Sequence, residues 1–228
     1  MDTEQIGARL LYRDALMLVI DKPAGLPVHG GPRGGRSLTD ALDGLRFGLP
    51  RRPEAAHRLD GETSGCLVLG RHRQALARLG RLFKDGKVGK TYWAVVAGGP
   101  AGDVGEIDQP LARRSQDPAD WTMQVDPAGL PSLTRWRVLG RADSLAWLEL
   151  EPVTGRTHQL RVHCASQGWP ILGDRIYGPS PAGVARLHLH ARRIVVPLYP
   201  RKPPVSAEAP VPEGMREALV RAGLPFTS

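Results

Sequence analysis

The sequence predicts an α+β protein: a mixed, largely antiparallel central sheet flanked by helices, in one domain spanning 1–228. Three observations carry that expectation. Segments with strand patterning outnumber segments with helical spacing. They also follow one another irregularly, without the steady strand-helix alternation that a parallel sheet demands. Finally, 228 residues with 41% hydrophobic content and no internal repeat suffice for one sizeable core.

Taken in order, residues 16–20 (LMLVI) are a short apolar run stopped by Asp21-Lys22-Pro23. They read as a buried strand entering a Pro- and Gly-rich loop, PAGLPVHGGPRGGRS. Arg33 and Arg36 stand among its glycines, and the loop lacks the Lys-Ser/Thr ending of a nucleotide P-loop. It reads as a flexible basic loop suited to phosphates. HRLDGETSG (57–65) has no periodicity, and CLVLG after it is a strand. Residues 72–84 set Ala75, Leu76, Leu79, Leu82 and Phe83 at helical spacing among Arg71, Arg73, Arg78, Arg81 and Lys84, the pattern of a basic amphipathic helix. Residues 90–98 (KTYWAVVAG), 134–139 and 145–150 alternate as strands, with Leu145 and Trp147 on one face. Residues 157–167 predict a helix capped by Thr157 and closed by Gly168; 193–196 predict a strand and 213–222 a terminal helix.

The formal charge of +8 favours a polyanionic partner, nucleic acid first. The longest apolar runs are far too short to cross a bilayer, and MDTEQIGARLLYRD has no export pattern. Cys66 and Cys164 form no C-x-x-C spacing, so neither a disulfide framework nor a thiolate zinc site is expected, and a reducing cytoplasm fits. His188 and His190 share a strand face without a convincing third ligand, and His158 and His163, five apart, do not stack on one helical face. GETSG is not the G-x-S-x-G elbow, which removes acyl transfer.

What remains is Asp60, in a loop entering a strand, and a second dense run, GRTHQLRVHCASQG (155–168) followed by GDRIYG (173–178). The latter concentrates Arg156, His158, Arg161, His163 and Asp174. An Arg161 beside Asp60 would keep the carboxylate ionised and nucleophilic; an isolated Asp and Arg more commonly make a structural ion pair.

HRLDGETSG resembles the catalytic motif of the RluA family of RNA pseudouridine synthases. DKPAGLPVH (21–29), KTYWAVVAG, GRTHQLRVH with GDRIYG, and RLHLHARRI (186–194) resemble its other motifs in order, so the resemblance covers nearly the whole chain. It implies the pseudouridine synthase catalytic fold. Asp60 becomes the catalytic aspartate, Tyr92 the tyrosine against the target base, Arg161 the aspartate's basic partner, and Arg58 the arginine that fills the space of a flipped uridine. His57, Thr63 and Leu160 in the same motifs, with Arg33 and Arg36, fall on the substrate-binding side.

Gly30 departs from the family's frequent proline after Val-His, leaving 29–36 looser. The first strand begins by about residue 15, which leaves no room for an N-terminal accessory RNA-binding domain. The implied reaction breaks the N1–C1′ bond, turns the uracil and rejoins it through C5; oxidation state is unchanged, so no cofactor or metal is expected. The expected partner is structured RNA, ribosomal or transfer, bound by a cytoplasmic monomer without membrane contact. A basic, inactive relative acting as an RNA chaperone is the alternative reading, and a nuclease built on Asp21, Asp60 and Asp174 would want closer carboxylates.

Overall fold

The computed structural model describes residues 3–30, 35–117, 120–178, 184 and 186–224, so Arg33 lies outside the described residues. In chain order the elements are α1 (Thr3–Gly7), β1 (Leu10–Arg13), β2 (Met17–Lys22), a 3-10 helix (Leu38–Leu45), β3 (Glu54–Ala55), β4 (Ser64–Gly70), α2 (Arg73–Lys84) and β5 (Gly89–Ala97). Then come β6 (Val104–Asp108), β7 (Leu111–Arg113), β8 (Met123–Val125), β9 (Leu133–Ala142), β10 (Leu145–Pro152), α3 (Gln159–Ser166), β11 (Leu189–Val196), β12 (Val205–Glu208) and α4 (Glu213–Arg221). The chain forms two compact units, Met1–Lys90 with Ala191–Pro210, and Thr91–His190 with Val211–Ser228.

In the first unit the strands run in the order β1-β2-β4-β11, with β3 added to β4 and β12 to β11. The antiparallel register of β2 on β4 runs from Met17↔Gly70 to Lys22↔Gly65. The runs 17–20 of β2 and 66–69 of β4 are apolar because both of their faces are covered. Met17, Val19, Cys66 and Val68 pack with Leu79 of α2 and Ile194 and Val196 of β11. Leu18, Ile20, Leu67 and Leu69, pointing the other way, are equally inaccessible. Gly65 has a left-handed φ of 107°, and a Cβ there would lie 2.3 Å from the Ala191 carbonyl oxygen. The last glycine of HRLDGETSG is thus fixed by the close approach of β11. Helix α2 starts where periodicity predicts; the His72 ring accepts from the Ala75 amide and caps it.

In the second unit β5, β10, β9 and β6 pair antiparallel in that order. Alternation along β5 sends Ala94 and Val96 into a core with Leu160 and Cys164 of α3, and Val95 into one with Met215 and Leu219 of α4. One helix therefore covers each face. The short pair β7–β8 stands apart and packs through Leu111 and Met123 on Val162 of α3 and Tyr177. The α+β class expected from the sequence is the one observed.

One boundary needs correction. Helix α3 begins at Gln159, and its N-cap is His158 in the left-handed conformation, φ 53°, rather than Thr157. The Gln159 side chain explains the shift: its Oε1 accepts from the Arg156 amide at 3.0 Å and the Thr154 hydroxyl at 2.7 Å, holding the segment before the helix in a non-helical path.

Candidate active site

Asp60 opens a tight turn closed by the Thr63 amide donating to the Asp60 carbonyl at 3.1 Å. Leu59 and Thr63, on either side, are buried; Asp60 is half-buried, and Arg58 and Glu62 are exposed. The turn is thus anchored at both ends and presents its carboxylate from between them. A third anchor comes from Lys22 at the end of β2. Its ammonium, wholly inaccessible, donates to the carbonyls of Pro23 (2.9 Å), Leu26 (2.8 Å) and Gly61 (3.0 Å), tying the PAGLPV loop to the Asp60 turn. The Gly25 amide adds a bond to the same Gly61 carbonyl at 2.9 Å. Burial pulls the Lys22 pKa down to about 8, against the opposing pull of Asp60, Glu62 and Asp21. Sequence reasoning missed Lys22; the signal was a lysine ending an otherwise apolar strand directly before proline.

His57 belongs to the frame. Its Nε2 accepts from the Val68 amide at 3.0 Å, and its ring stacks on Phe83 of α2 with centroids 4.3 Å apart. Burial, with Lys90 nearby, lowers its pKa to about 3, so the ring is neutral and carries its proton on Nδ1. Arg36 is exposed. Arg71, grouped by its sequence with the basic amphipathic helix, instead donates to the Asp14 carbonyl at 2.7 Å and reaches those of Arg46 and Phe47 at 3.4 Å. It follows the end of β4 and binds the neighbouring loops together. Arg73 and Arg81 are exposed and Arg78 half-exposed along α2.

In the second unit Arg161, only 6% exposed, forms a fork on Asp174: Nε to Oδ2 and Nη2 to Oδ1, both 2.8 Å. Asp174 also accepts the Ile176 and Tyr177 amides at 3.0 and 3.1 Å. Burial works to raise its pKa, but the bonds and charge of Arg161 outweigh that and hold the carboxyl below its usual range. Asp174 is therefore a partner of Arg161 that sequence reading grouped with it but gave no role.

The Arg161 guanidinium also lies 5.2 Å from the Tyr177 ring centre. The Tyr177 hydroxyl accepts from the Met123 amide at 2.8 Å and shares a hydrogen bond with His158 Nδ1 at 2.8 Å. Leu160 is buried in the core beside α3. Gln159 Nε2 donates to the Leu133 carbonyl and the Thr134 hydroxyl, both at 3.0 Å. Thr134 bonds His163 Nδ1 at 2.9 Å, and His163 Nε2 donates to the Gln109 carbonyl at 3.0 Å. This buried chain fixes α3, and Arg161 on it, against β9. Tyr92, half-buried on β5 opposite Leu150, packs at the edge of the same core.

Among the described residues no three His, Cys, Asp or Glu side chains gather as metal ligands do, and no helix is long and apolar enough to cross a membrane. His188 instead turns Nδ1 to the Arg186 carbonyl at 3.0 Å.

A family model described as RNA pseudouridylate synthase matches residues 16–166. A Zymomonas mobilis protein described as an uncharacterized RNA pseudouridine synthase is 40% identical over 93% of this chain and 97% of its own length. The ribosomal large subunit pseudouridine synthase C of Vibrio cholerae is 34% identical over 93% of this chain and 68% of its own. The solved structure of human RNA pseudouridylate synthase domain containing 4 superposes with a TM-score of 0.83 at 28% identity, over 99% of this chain and 97% of that one.

Proposed function

The chain belongs to the RluA family of RNA pseudouridine synthases and acts on RNA as such an isomerase; from that premise we propose that Asp60 is its catalytic carboxylate. In the reaction the N1–C1′ bond of a uridine breaks, a C5–C1′ bond forms, the C5 proton leaves and N1 takes up a proton. Asp60 acts on a nucleotide whose base is extruded from its stack, and Arg58 takes the vacated space. Tyr92 offers a stacking surface to the uracil and its hydroxyl assists loss of the C5 proton. Arg161, oriented by Asp174, supplies positive charge to the site.

The observation that carries this reading is the Asp60 turn itself: a half-buried carboxylate between buried neighbours, braced through Gly61 by a buried lysine. Such bracing is what a positioned catalytic group requires. The substrate proposed is large-subunit ribosomal RNA, supported by the name of the Vibrio cholerae relative. The enzyme works as a monomer in the cytoplasm, with 1–228 as one catalytic domain, its specificity coming from RNA shape.

The test is tritium release from C5-tritiated ribosomal RNA. Wild type releases tritium, and Asp60→Asn falls below about a tenth of that rate while keeping RNA affinity within a few-fold. Turnover by Asp60→Asn above that level removes the assignment. RNA binding without any release by wild type would favour an inactive RNA-binding relative instead.

A further inference from the structure

The 3-10 helix Leu38–Leu45 ends at Arg46, and the next residue, Phe47, takes a left-handed backbone at φ 45° before Gly48 at φ 82°. The first position past a helix is where glycine costs least; a bulky aromatic there is strained by about 1–2 kcal/mol. Phe47 nonetheless keeps 37% of its surface exposed. The strain is held from outside by Arg71, whose guanidinium reaches the Arg46 and Phe47 carbonyls. Arg13 lays its guanidinium 4.3 Å from the ring centre, and that of Arg71 is 6.0 Å away. The loop that follows carries exposed Arg51 and Arg52. Of the two acids on the 3-10 helix, Asp43 is paired with Arg46 at 2.8 Å and lies 3.7 Å from Arg52, and Asp40 accepts from the Ser37 amide at 2.7 Å. An exposed ring propped in a costly conformation among guanidinium groups is a base-stacking platform in a phosphate-attracting setting.

From this geometry we infer that Phe47, with Arg13 and Arg52, forms a second RNA contact that stacks an unpaired base of the substrate away from the target uridine. The inference rests on the reading of the protein as an RNA-modifying enzyme. The platform and the Asp60 turn lie toward opposite ends of β4: Arg71 follows Gly70, whereas the turn precedes Ser64. Seven strand residues span roughly 20 Å, so the two contacts hold different nucleotides.

The test measures binding of a fluorescein-labelled single-stranded oligouridylate to the full chain by anisotropy, with thermal midpoints beside it. Phe47→Ala and Phe47→Gly each weaken binding about tenfold, within the range that base–ring stacking commands, and Phe47→Trp binds as tightly as wild type or tighter. Arg13→Met weakens binding and flattens its salt dependence. Phe47→Gly melts at or above the wild-type temperature, because glycine relieves the left-handed strain; a ring kept for structure alone would lower it. Wild-type affinity in Phe47→Gly would overturn the inference. Polyglutamate competing as well as RNA for the Phe47-dependent site would also overturn it, assigning the surface to an acidic protein. Binding is read in Asp60→Asn protein too, so Phe47-dependent affinity supports the platform on its own. Failure of wild type to release tritium counts against the isomerase reading alone.

Discussion

Lys22 condenses the relation between sequence and site into one side chain. Lysine is almost never fully buried, so sequence patterning places it at the surface by default. Here its three donors satisfy three carbonyls in two separate loops, and no shorter or apolar residue can do so. Lys22→Met removes the donor to the Pro23 and Leu26 carbonyls and leaves Gly61 with the Gly25 amide alone, and it should lower stability by about 2–3 kcal/mol, read as a shift in urea midpoint at constant slope. The pH dependence has a defined sign. With a folded pKa of about 8 against 10.5 for the free side chain, the unfolded chain binds more protons between those values, so this group's contribution to stability rises with pH there. The wild-type advantage over Lys22→Met should therefore grow from pH 8 to pH 10; a constant difference would place the folded pKa elsewhere. Asp60, by contrast, reads from its neighbours only as part of a turn, because an acid among glycines and hydroxyls lacks the periodicity of a core; the role proposed for it comes from the motif's resemblance to a family.

At the level of elements, legibility followed apolar continuity. The strands that became β2, β4, β5, β10 and β11 announce themselves because burial imposes apolar runs or strict alternation. The short pieces β1, β3, β7, β8 and β12 run from 2 to 4 residues, too few to show a period, although each pairs with a strand adjacent to it in the chain: β1 with β2, β3 with β4, β7 with β8 and β12 with β11. The start of α3 is displaced by the Gln159 side chain, which accepts from the Arg156 amide just before the helix and donates to the Leu133 carbonyl of β9, far off in sequence, a pairing no local capping rule reveals. The same buried chain makes α3 sensitive to single changes. Gln159→Ala should cost about 1–3 kcal/mol and lower kcat more than it raises KM, since it loosens the helix that carries Arg161. Arg161→Lys keeps the charge but cannot make the fork on Asp174, so it should retain more activity than Arg161→Met yet less than wild type. On α2, neutralising Arg73 or Arg81 should flatten log K against log salt by roughly 0.7–0.9 per lost phosphate contact without altering the melting temperature. Arg71→Ala should do the reverse, because its partners are carbonyls.

For the molecule as a whole, the +8 charge gives affinity for RNA that falls steeply with ionic strength, measurable by titration from 50 to 200 mM salt as a linear loss of log K. Discrimination between RNAs should survive that titration, because phosphate contacts hold every RNA alike and only shape and base contacts tell them apart. The chain's route through its two units matters in a different setting, the ribosome. The first unit needs Ala191–Pro210, which supply most of β11 and all of β12, and these emerge only after the whole of Thr91–His190 has been made. At about 5–20 residues per second, β4 waits on the order of 5–20 seconds with one edge unpaired. During translation that apolar edge is the nascent chain's exposed hazard, a template for aggregation or a handle for a chaperone. Arrested nascent chains ending shortly before residue 191 should remain protease-sensitive at the HRLDGETSG turn, and those extended past residue 210 and clear of the exit tunnel should become resistant.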